Sequence, residues 1–145
     1  MTHGLAEFLR DRPVRRLSEA EKEKLEADVS SDDLASAAHH LQSGKAPGTN
    51  GYPIEFFKSN WPILGPPLLA MFQEALSDGL LPRDMRLADI VVIPKTGQPA
   101  ERWDSYCPIS FLNLEVKIWG RALADRLLQL TSSIIQPDQS GFMPV

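Results

Sequence analysis

A mostly apolar run from Leu87 to Ile93, interrupted by Asp89 and β-branched from Ile90 onward, constrains the possible folds more than any other part of the sequence. Pro94, Lys95, Thr96 and Gly97 follow it directly. A largely apolar, β-branched run of this length is typical of a strand with at least one buried face. The proline and glycine after it indicate that the strand ends at a turn. The sequence therefore predicts a strand that presents a lysine at its end, where a cation can hold a phosphate.

Composition limits the chain to an ordinary globular domain. Its 145 residues are 43% hydrophobic, enough for one core. No apolar run approaches the roughly 20 residues that span a membrane, so a membrane is not expected as a partner. The lone cysteine, Cys107, suits a reducing compartment. A net charge of -4 argues against an autonomous nucleic-acid-binding domain, which usually carries surplus Lys and Arg.

Two serines predict helix starts in the first third of the chain. Ser18 precedes Glu21 at the spacing of a capping box, and this helix is expected to end near Asp28. Ser30 precedes a second helix that Gly44 is expected to end. The second helix carries one apolar stripe, formed by Leu34, Ala37, Ala38 and Leu41.

Charged and imidazole side chains on this second helix have simpler explanations than catalysis. Asp32 and Asp33 lie in the first turn, where the helix dipole favours negative charge. His39 and His40 are adjacent, so they point about 100° apart and cannot chelate one metal ion together. No residue of the sequence is therefore assigned as catalytic or as a metal ligand, and no zinc, dinucleotide or Ser-His-Asp pattern occurs.

The segment from Ser43 to Gly51 predicts a loop with two possible roles. Its glycines and Lys45 can present backbone N–H groups and a positive charge to a phosphate. The spacing does not match a P-loop, and composition alone favours a plain connector. Pro53 then begins a helix that buries Ile54 and Phe57.

Glycine and proline residues divide the remaining chain into predicted helices and loops. Gly65-Pro66-Pro67 is expected to end one helix and start the next, which Gly79 closes. That second helix carries Leu68, Met71, Phe72 and Ala75 on one face. Residues 104–108 predict a loop, and a Pro-Ile-Ser turn then leads to a long helix from about Asn113. Its predicted apolar stripe comprises Val116, Trp119 or Gly120, Leu123, Leu127 and Leu130. The chain is expected to end in a turn-rich segment after Ile135.

Several short motifs, in order, resemble the reverse transcriptase of LINE-type non-LTR retrotransposons. The motifs are Gly44 to Gly51 with Glu55-Phe56-Phe57, Gly79 to Pro82, Ile93-Pro94-Lys95, Tyr106 to Asn113, Lys117 to Leu127 and Asp138 to Phe142. The resemblance implies the N-terminal, fingers-side part of the polymerase. The expected fold is α+β and mostly helical, a partial fingers/palm-type fragment with about five helices and one or two short strands. Residues 1–17 are expected to be a poorly ordered lead-in, and residues 18–145 an incomplete reverse transcriptase domain.

The resemblance also implies roles for particular residues. In the family, a lysine at the end of this strand and an arginine in the following Tyr-Arg-Pro-Ile-Ser motif face the triphosphate of the incoming nucleotide. Lys95 matches the lysine, whereas Cys107 occupies the position of the arginine and carries no positive charge. Lys45, Gly48 and Asn50 are possible nucleic-acid contacts. Thr49-Asn50 replaces the family's Pro-Asp, a change to a more flexible, neutral turn.

The same resemblance places the family's metal-binding aspartates after Gly141-Phe142, in catalytic palm motifs before which residues 18–145 are expected to be truncated. The full-length enzyme is expected to use two Mg²⁺ ions, an RNA template with primer, and dNTPs, in the cytoplasm or the nucleus. No cofactor is expected in these residues, which would need the missing palm region as a partner and would be inactive alone. Two alternatives are a retained helical module that binds RNA or protein, and an inert relic of a decayed element.

Overall fold

The computed structural model describes residues 16–135. The predicted lead-in, except for its last two positions, and the predicted turn-rich end lie outside the described residues. The described helices are α1 (Glu19–Glu26), α2 (Ser31–His40), α3 (Ile54–Ser59), α4 (Trp61–Asp78), α5 (Leu114–Leu128) and the single turn α6 (Thr131–Ile134). The strands are β1 (Ala88–Pro94) and β2 (Tyr106–Leu112), with 3-10 turns at Arg83–Arg86 and Trp103–Ser105. The predicted α+β, mostly helical fold is confirmed.

Contacts divide the chain into two compact units. The larger unit is Asp28–Asp125, and the described part of the smaller one comprises residues 16–27 and 126–135. Among the described helices, none combines the length and the apolar character needed to cross a membrane.

The smaller unit begins with the predicted capping box. The Glu21 N–H donates to Ser18 Oγ, and the Ser18 N–H donates back to the Glu21 carboxylate at 2.8 Å. Ser133 Oγ, on α6, also donates to this carboxylate at 2.6 Å. The hydroxyl of Ser133, followed by the Ser18 bonds, lowers the pKa of Glu21 to about 2. Glu21 therefore links both ends of this unit through its ionised form.

We expect Glu21 to contribute to acid stability with a defined sign. Because the pKa of Glu21 in the folded protein lies below its ordinary value of 4.5, its contribution is present above that value and is lost as the pH falls towards about 2. Glu21→Gln should therefore flatten the dependence of the melting temperature on pH in this window. Glu23→Gln, which removes another carboxylate of α1, is the control. If the melting temperature of Glu21→Gln falls as steeply at acid pH as that of the unmodified chain, the assignment is contradicted.

The larger unit opens with the second predicted start signal. Ser30 and Asp33 form a reciprocal capping box, with bonds of 2.9 and 3.1 Å. The helix ends at His40, before the predicted terminator, because the backbone already becomes extended at Leu41. Gly44, with φ of 71°, forms the turn that follows. The predicted start was therefore confirmed, whereas the predicted end was several residues too late.

Helix α4 corrects the prediction of a break at Gly65-Pro66-Pro67, because it continues through all three residues. A proline inside a helix leaves the carbonyl four residues earlier without its N–H donor. Pro66 and Pro67 are exposed, as are Pro62 and Ile63, whose carbonyls lose their donors, so water can hydrate these groups. Packing of the opposite face keeps the helix intact. Gly79 ends α4 in the left-handed region, as predicted.

The core of the larger unit combines α2, α3, α4 and α5. Its buried members are Val29, Leu34, Ala37, Ala38, Ile54, Phe57, Leu68, Phe72, Leu114, Ile118 and Ala122. The predicted inward faces of α2, α3 and α4 are thus confirmed. The stripe predicted for α5 was partly wrong, because this helix buries Leu114, Ile118 and Ala122 while Leu123 is exposed. A shift of one residue around a helix moves a side chain by about 100°, enough to select a different face.

Strands β1 and β2 form an antiparallel two-stranded sheet, with Ile93 opposite Cys107 and Ala88 opposite Leu112. The loop predicted at residues 104–108 instead comprises the end of the 3-10 turn and the start of β2. The predicted Pro-Ile-Ser turn lies within β2. Every residue of β1 is exposed, so the prediction of a buried face was wrong. Within the described residues, no second layer covers this hairpin. Composition detected the strand but not whether another element packs on it.

Candidate functional site

The end of the hairpin holds the cation that the sequence singled out. The Lys95 N–H donates to the carbonyl of Ser105 at 2.7 Å and extends the β1–β2 ladder by one step. The Lys95 amine donates to the carbonyl of Asp104 at 3.0 Å. No ion pair of the described residues includes this amine. Lys95 is thus an exposed cation on a hydrogen-bonded frame, without a carboxylate partner in residues 16–135.

Between β1 and β2 the chain also carries Glu101, Arg102 and Asp104, and the last two form an ion pair. Arg102 donates two bonds to the Asp104 carboxylate, at 2.7 and 3.0 Å. These bonds hold the pKa of Asp104 below its ordinary value and raise the pKa of Arg102. The Tyr106 hydroxyl donates to the carbonyl of Ala100 at 3.0 Å and fixes the far side of the loop. Of the two cations in this connection, Arg102 is paired with Asp104, whereas no ion pair of the described residues includes Lys95.

Cys107 lies on the same face of the hairpin as this lysine. It is opposite Ile93 in the ladder, and strand alternation directs Ile93 and position 95 to the same side. Residues in this diagonal relation are close enough for long side chains to reach a shared ligand. Cys107 is an exposed free thiol, which cannot supply the fork of donors that an arginine presents. The register therefore places both positions of the predicted pair at the same end of the hairpin, one charged and one neutral.

The loop predicted to contact nucleic acid is attached to the start of α5 by Asn113. The Asn113 side-chain oxygen accepts from Thr49 Oγ1 at 3.0 Å and from the Asn50 N–H at 3.1 Å. Its amide donates to the carbonyl of Asp84 at 3.2 Å. Asn50 Nδ2 also donates to Glu115 at 2.9 Å. One buried amide thus joins the loop, α5 and the 3-10 turn before β1.

Gly48 packs directly against this asparagine. A Cβ placed on Gly48 would lie 2.4 Å from the Asn113 nitrogen and 2.5 Å from its Cα. The glycine also accepts a turn bond from the Gly51 N–H at 3.0 Å. Gly48 is buried, and the Asn50 side chain is engaged within the protein. Both candidate contact residues therefore also have a role in shaping the loop.

We expect Asn113→Ala to lower the free energy of unfolding by about 2 kcal/mol, because the buried Asn113 side chain makes bonds to Thr49, Asn50 and Asp84 that alanine cannot replace. The reference substitution is Gln42→Ala, at an exposed position, which should change stability by less than about 0.5 kcal/mol. Urea unfolding followed by circular dichroism measures both. Equal stabilities for the two variants would contradict the role of Asn113.

Lys45 lies at a separate feature, a cavity of about 380 Å³ that Lys117 and Arg121 of α5 also line. Lys95 does not line it. The structure therefore divides the predicted cations between two places, the hairpin end and this cavity. Sequence reasoning did not assign a role to Lys117, Arg121 or Asn113. The signal for Asn113 was its position directly before an amphipathic helix, which predicts a cap but not contacts more than 60 residues away.

Residues 16–135 contain no cluster of side chains suited to binding a metal ion. No group of three or more His, Cys, Asp or Glu side chains lies close enough to hold an ion there. The two Mg²⁺ ions implied for the family therefore do not fit the described residues, and no step through a metal is assigned to them.

Comparison with known proteins shows that the chain is similar to transposon proteins. No protein-family model matches the chain. An uncharacterized 149 kDa protein of transposon TX1 from Xenopus laevis is 35% identical over 128 residues, which are 88% of this chain and 10% of that protein. A probable RNA-directed DNA polymerase from transposon BS of Drosophila melanogaster is 33% identical over 114 residues, 77% of this chain and 12% of that protein. The chain thus spans roughly a tenth of the length of these curated relatives. These similarities confirm the predicted relation to the reverse transcriptases of non-LTR retrotransposons.

Proposed function

We propose that this chain supplies the fingers-side elements of a retrotransposon RNA-directed DNA polymerase and uses Lys95 to bind the triphosphate of the incoming nucleotide. The observation that carries the proposal is the geometry of the hairpin end, where Lys95 is fixed through its backbone and amine to the Asp104–Ser105 turn. A fixed cation of this kind stabilises negative charge on a phosphate, especially when water is excluded.

The cysteine weakens this proposed site in a testable way. An arginine at position 107 would place a second cation on the same face and offer two parallel N–H donors to phosphate oxygens. The site of this chain is therefore expected to bind triphosphate weakly and mainly through Lys95. The loss is in binding strength, since the backbone of β2 accommodates either side chain on an exposed face.

Triphosphate binding by the purified chain tests this assignment. With a fluorescent deoxynucleoside triphosphate, Cys107→Arg should tighten binding by about tenfold, and Lys95→Ala should weaken it by a similar factor. Lys24→Gln removes a lysine from α1 and serves as the charge control. If Lys95→Ala and Cys107→Arg bind the triphosphate with the same affinity, the proposed triphosphate site is contradicted.

We further propose that the chain alone does not extend a primer, because the resemblance places the metal-binding aspartates after Gly141-Phe142. Purified chain, primed RNA, dNTPs and Mg²⁺ should give no product, and Cys107→Arg should not restore extension. An active enzyme from the same family is the positive control. Extension by the purified chain would refute this part of the proposal.

A further inference from the structure

Strand β1 has one free edge, because within residues 16–135 it pairs with β2 alone. The Lys95 N–H donates to the Ser105 carbonyl, so every second residue of β1, counted back from Lys95, directs its N–H towards β2. The backbone groups of the intervening residues, Ala88, Ile90 and Val92, therefore point away from β2. All of these residues are exposed. An outer edge of this kind is a template for pairing with another strand.

The prolines of the hairpin make its two edges unequal. Pro94 and Pro108 both occupy outward-facing positions, where a missing N–H removes no bond between β1 and β2. Pro94 is the last residue of β1, so the outward N–H groups before it form an unbroken row. Pro108 lies inside β2 and interrupts the corresponding row of that strand. Pairing with a further strand is therefore open to the edge of β1 and obstructed at the edge of β2.

The charges at the two ends of β1 have opposite signs. Asp89 is near its start, and Lys95 directly follows its end. The residues between them, Ile90 to Pro94, are uncharged. No ion pair of the described residues includes Asp89 or Lys95. When two such strands run antiparallel, the negative end of each lies beside the positive end of the other. The strand is therefore complementary in charge to a second copy of itself.

One register satisfies both the backbone and the charges. With Val92 of one copy opposite Val92 of the other, these two residues would exchange both N–H···O bonds. Each Ile90 N–H would donate to the Pro94 carbonyl opposite it, so Pro94 would act only as an acceptor. Asp89 would then lie opposite Lys95 of the second copy, in a pair whose side chains are closely spaced. Hydrogen bonds and charges thus favour the same alignment.

We propose that the chain self-associates by antiparallel pairing of β1 with β1 of a second copy, centred on Val92. The two hairpins would form one continuous sheet, related by a two-fold axis that closes the assembly at two copies. A slip of two residues would place Asp89 opposite Ile93 or Gly97 and would lose both charge pairs, so the charges select the register. Edge pairing covers less surface than a standard interface, and the association is therefore weak and dependent on concentration.

Sedimentation velocity of the full chain over a series of concentrations, without nucleotide, measures this association. The 16.1 kDa chain should convert to a species of twice that mass as its concentration rises, and added salt should weaken the association. Asp89→Lys and Lys95→Asp should each weaken it by about tenfold or more, because each replaces two attractive pairs with two repulsive ones.

Mixing the two charge variants provides the sharper test. In a pair formed by one Asp89→Lys chain and one Lys95→Asp chain, both charge pairs are again attractive. An equimolar mixture should therefore associate about as tightly as the unmodified chain, although neither variant does so alone. Misfolding of either variant would not produce this rescue, and circular dichroism confirms that both remain folded.

A second pair of variants distinguishes edge pairing from stacking of the apolar faces. Val92 and Ser110 lie on the same face of the hairpin, since Ser110 is opposite Ile90, two residues from Val92. Val92→Lys would place like charges opposite each other at the centre of the paired edge, so it should abolish association. Ser110→Lys adds the same charge to the same face on β2, away from the pairing edge, and should leave association unchanged.

Four results would overturn the proposal. The first is a monomer at every concentration of the unmodified chain. The second is a mixture of the two charge variants that associates no better than either variant alone. The third is equal weakening by Val92→Lys and Ser110→Lys, which would assign the association to a face of the hairpin. The fourth is continued growth beyond two copies, which a closed two-fold pairing does not allow.

The outcome is separable from that of the proposed triphosphate site, although Lys95 belongs to both. Val92→Lys removes the pairing and retains Lys95 and Cys107, so its binding of the fluorescent triphosphate reports on that site alone. Failure of this variant to bind the triphosphate, with the rescue by mixing intact, would remove only the proposed function. Failure of the rescue, with triphosphate binding intact in Val92→Lys, would remove only the pairing.

Discussion

Gly48→Ala is expected to lower the free energy of unfolding by about 3 kcal/mol. The added Cβ would lie 2.4 Å from the Asn113 nitrogen and 2.5 Å from its Cα, so backbone must move to accept it. The loop would separate from the start of α5, and the bonds from Thr49 and Asn50 to the Asn113 side chain would be lost. Urea unfolding followed by circular dichroism measures the change.

Gly44→Ala is the matched control for this substitution. Gly44 has a φ of +71°, but a Cβ added there would meet nothing within 4 Å, so its cost is the roughly 1 kcal/mol of a left-handed residue. Adding Asn113→Ala should not rescue Gly48→Ala, because the closest contacts include backbone atoms. A smaller loss for Gly48→Ala than for Gly44→Ala would contradict the close approach.

Phe72→Ala, a substitution in the core, is expected to lower the free energy of unfolding by about 3–5 kcal/mol. Phe72 is 1% exposed, and its ring stacks on Trp119 with centroids 4.7 Å apart and an interplanar angle of 19°. Truncation leaves a cavity between α4 and α5 and removes the aromatic contact. Calorimetric melting of the variant should show a much lower midpoint than that of the unmodified chain.

Leu76→Ala, one turn further along α4, controls for the length and helix propensity of the substitution. Leu76 is 54% exposed, so its loss should change stability by less than about 0.5 kcal/mol. Comparable losses at the two positions would show that α4 does not pack through its Phe72 face.

Local signals in the sequence predicted those parts of the fold that depend on neighbouring residues. Ser18 and Ser30 form capping boxes within three residues, and Gly79 supplies a left-handed helix end. The apolar spacing of Leu34, Phe57 and Phe72 also predicted the buried faces of three helices. Each of these features follows from residues that are close along the chain or repeat at the helical period.

Features that depend on distant residues were not predicted. Pro66 and Pro67 remain helical because α4 packs through its opposite face, which outweighs the local preference to break. The apolar sequence of β1 indicated a strand, but burial of its face depends on a second layer that residues 16–135 do not supply. The role of Asn113 depends on contacts 63 and 64 positions away.

The candidate functional positions divide in the same way. The motif containing Lys95 was visible because a lysine follows a strand and a resemblance assigns it a role. The cavity lined by Lys45, Lys117 and Arg121 arises only when α5 packs beside the loop after α2, so no short motif contains it. Charge counted over the whole chain, at -4, conceals this local surplus of basic groups.

Primer extension by a chimeric polymerase tests the proposed role of this chain in nucleotide binding most directly. In the probable RNA-directed DNA polymerase of transposon BS, residues 16–135 of this chain would replace the matching segment, with the unaltered protein as the reference. We expect that the chimera extends primed RNA, that Lys95→Ala in the chimera lowers the rate by roughly a hundredfold, and that Cys107→Arg raises it. A chimera that extends equally well with Lys95 or with alanine at this position would contradict the assignment of Lys95 to the triphosphate.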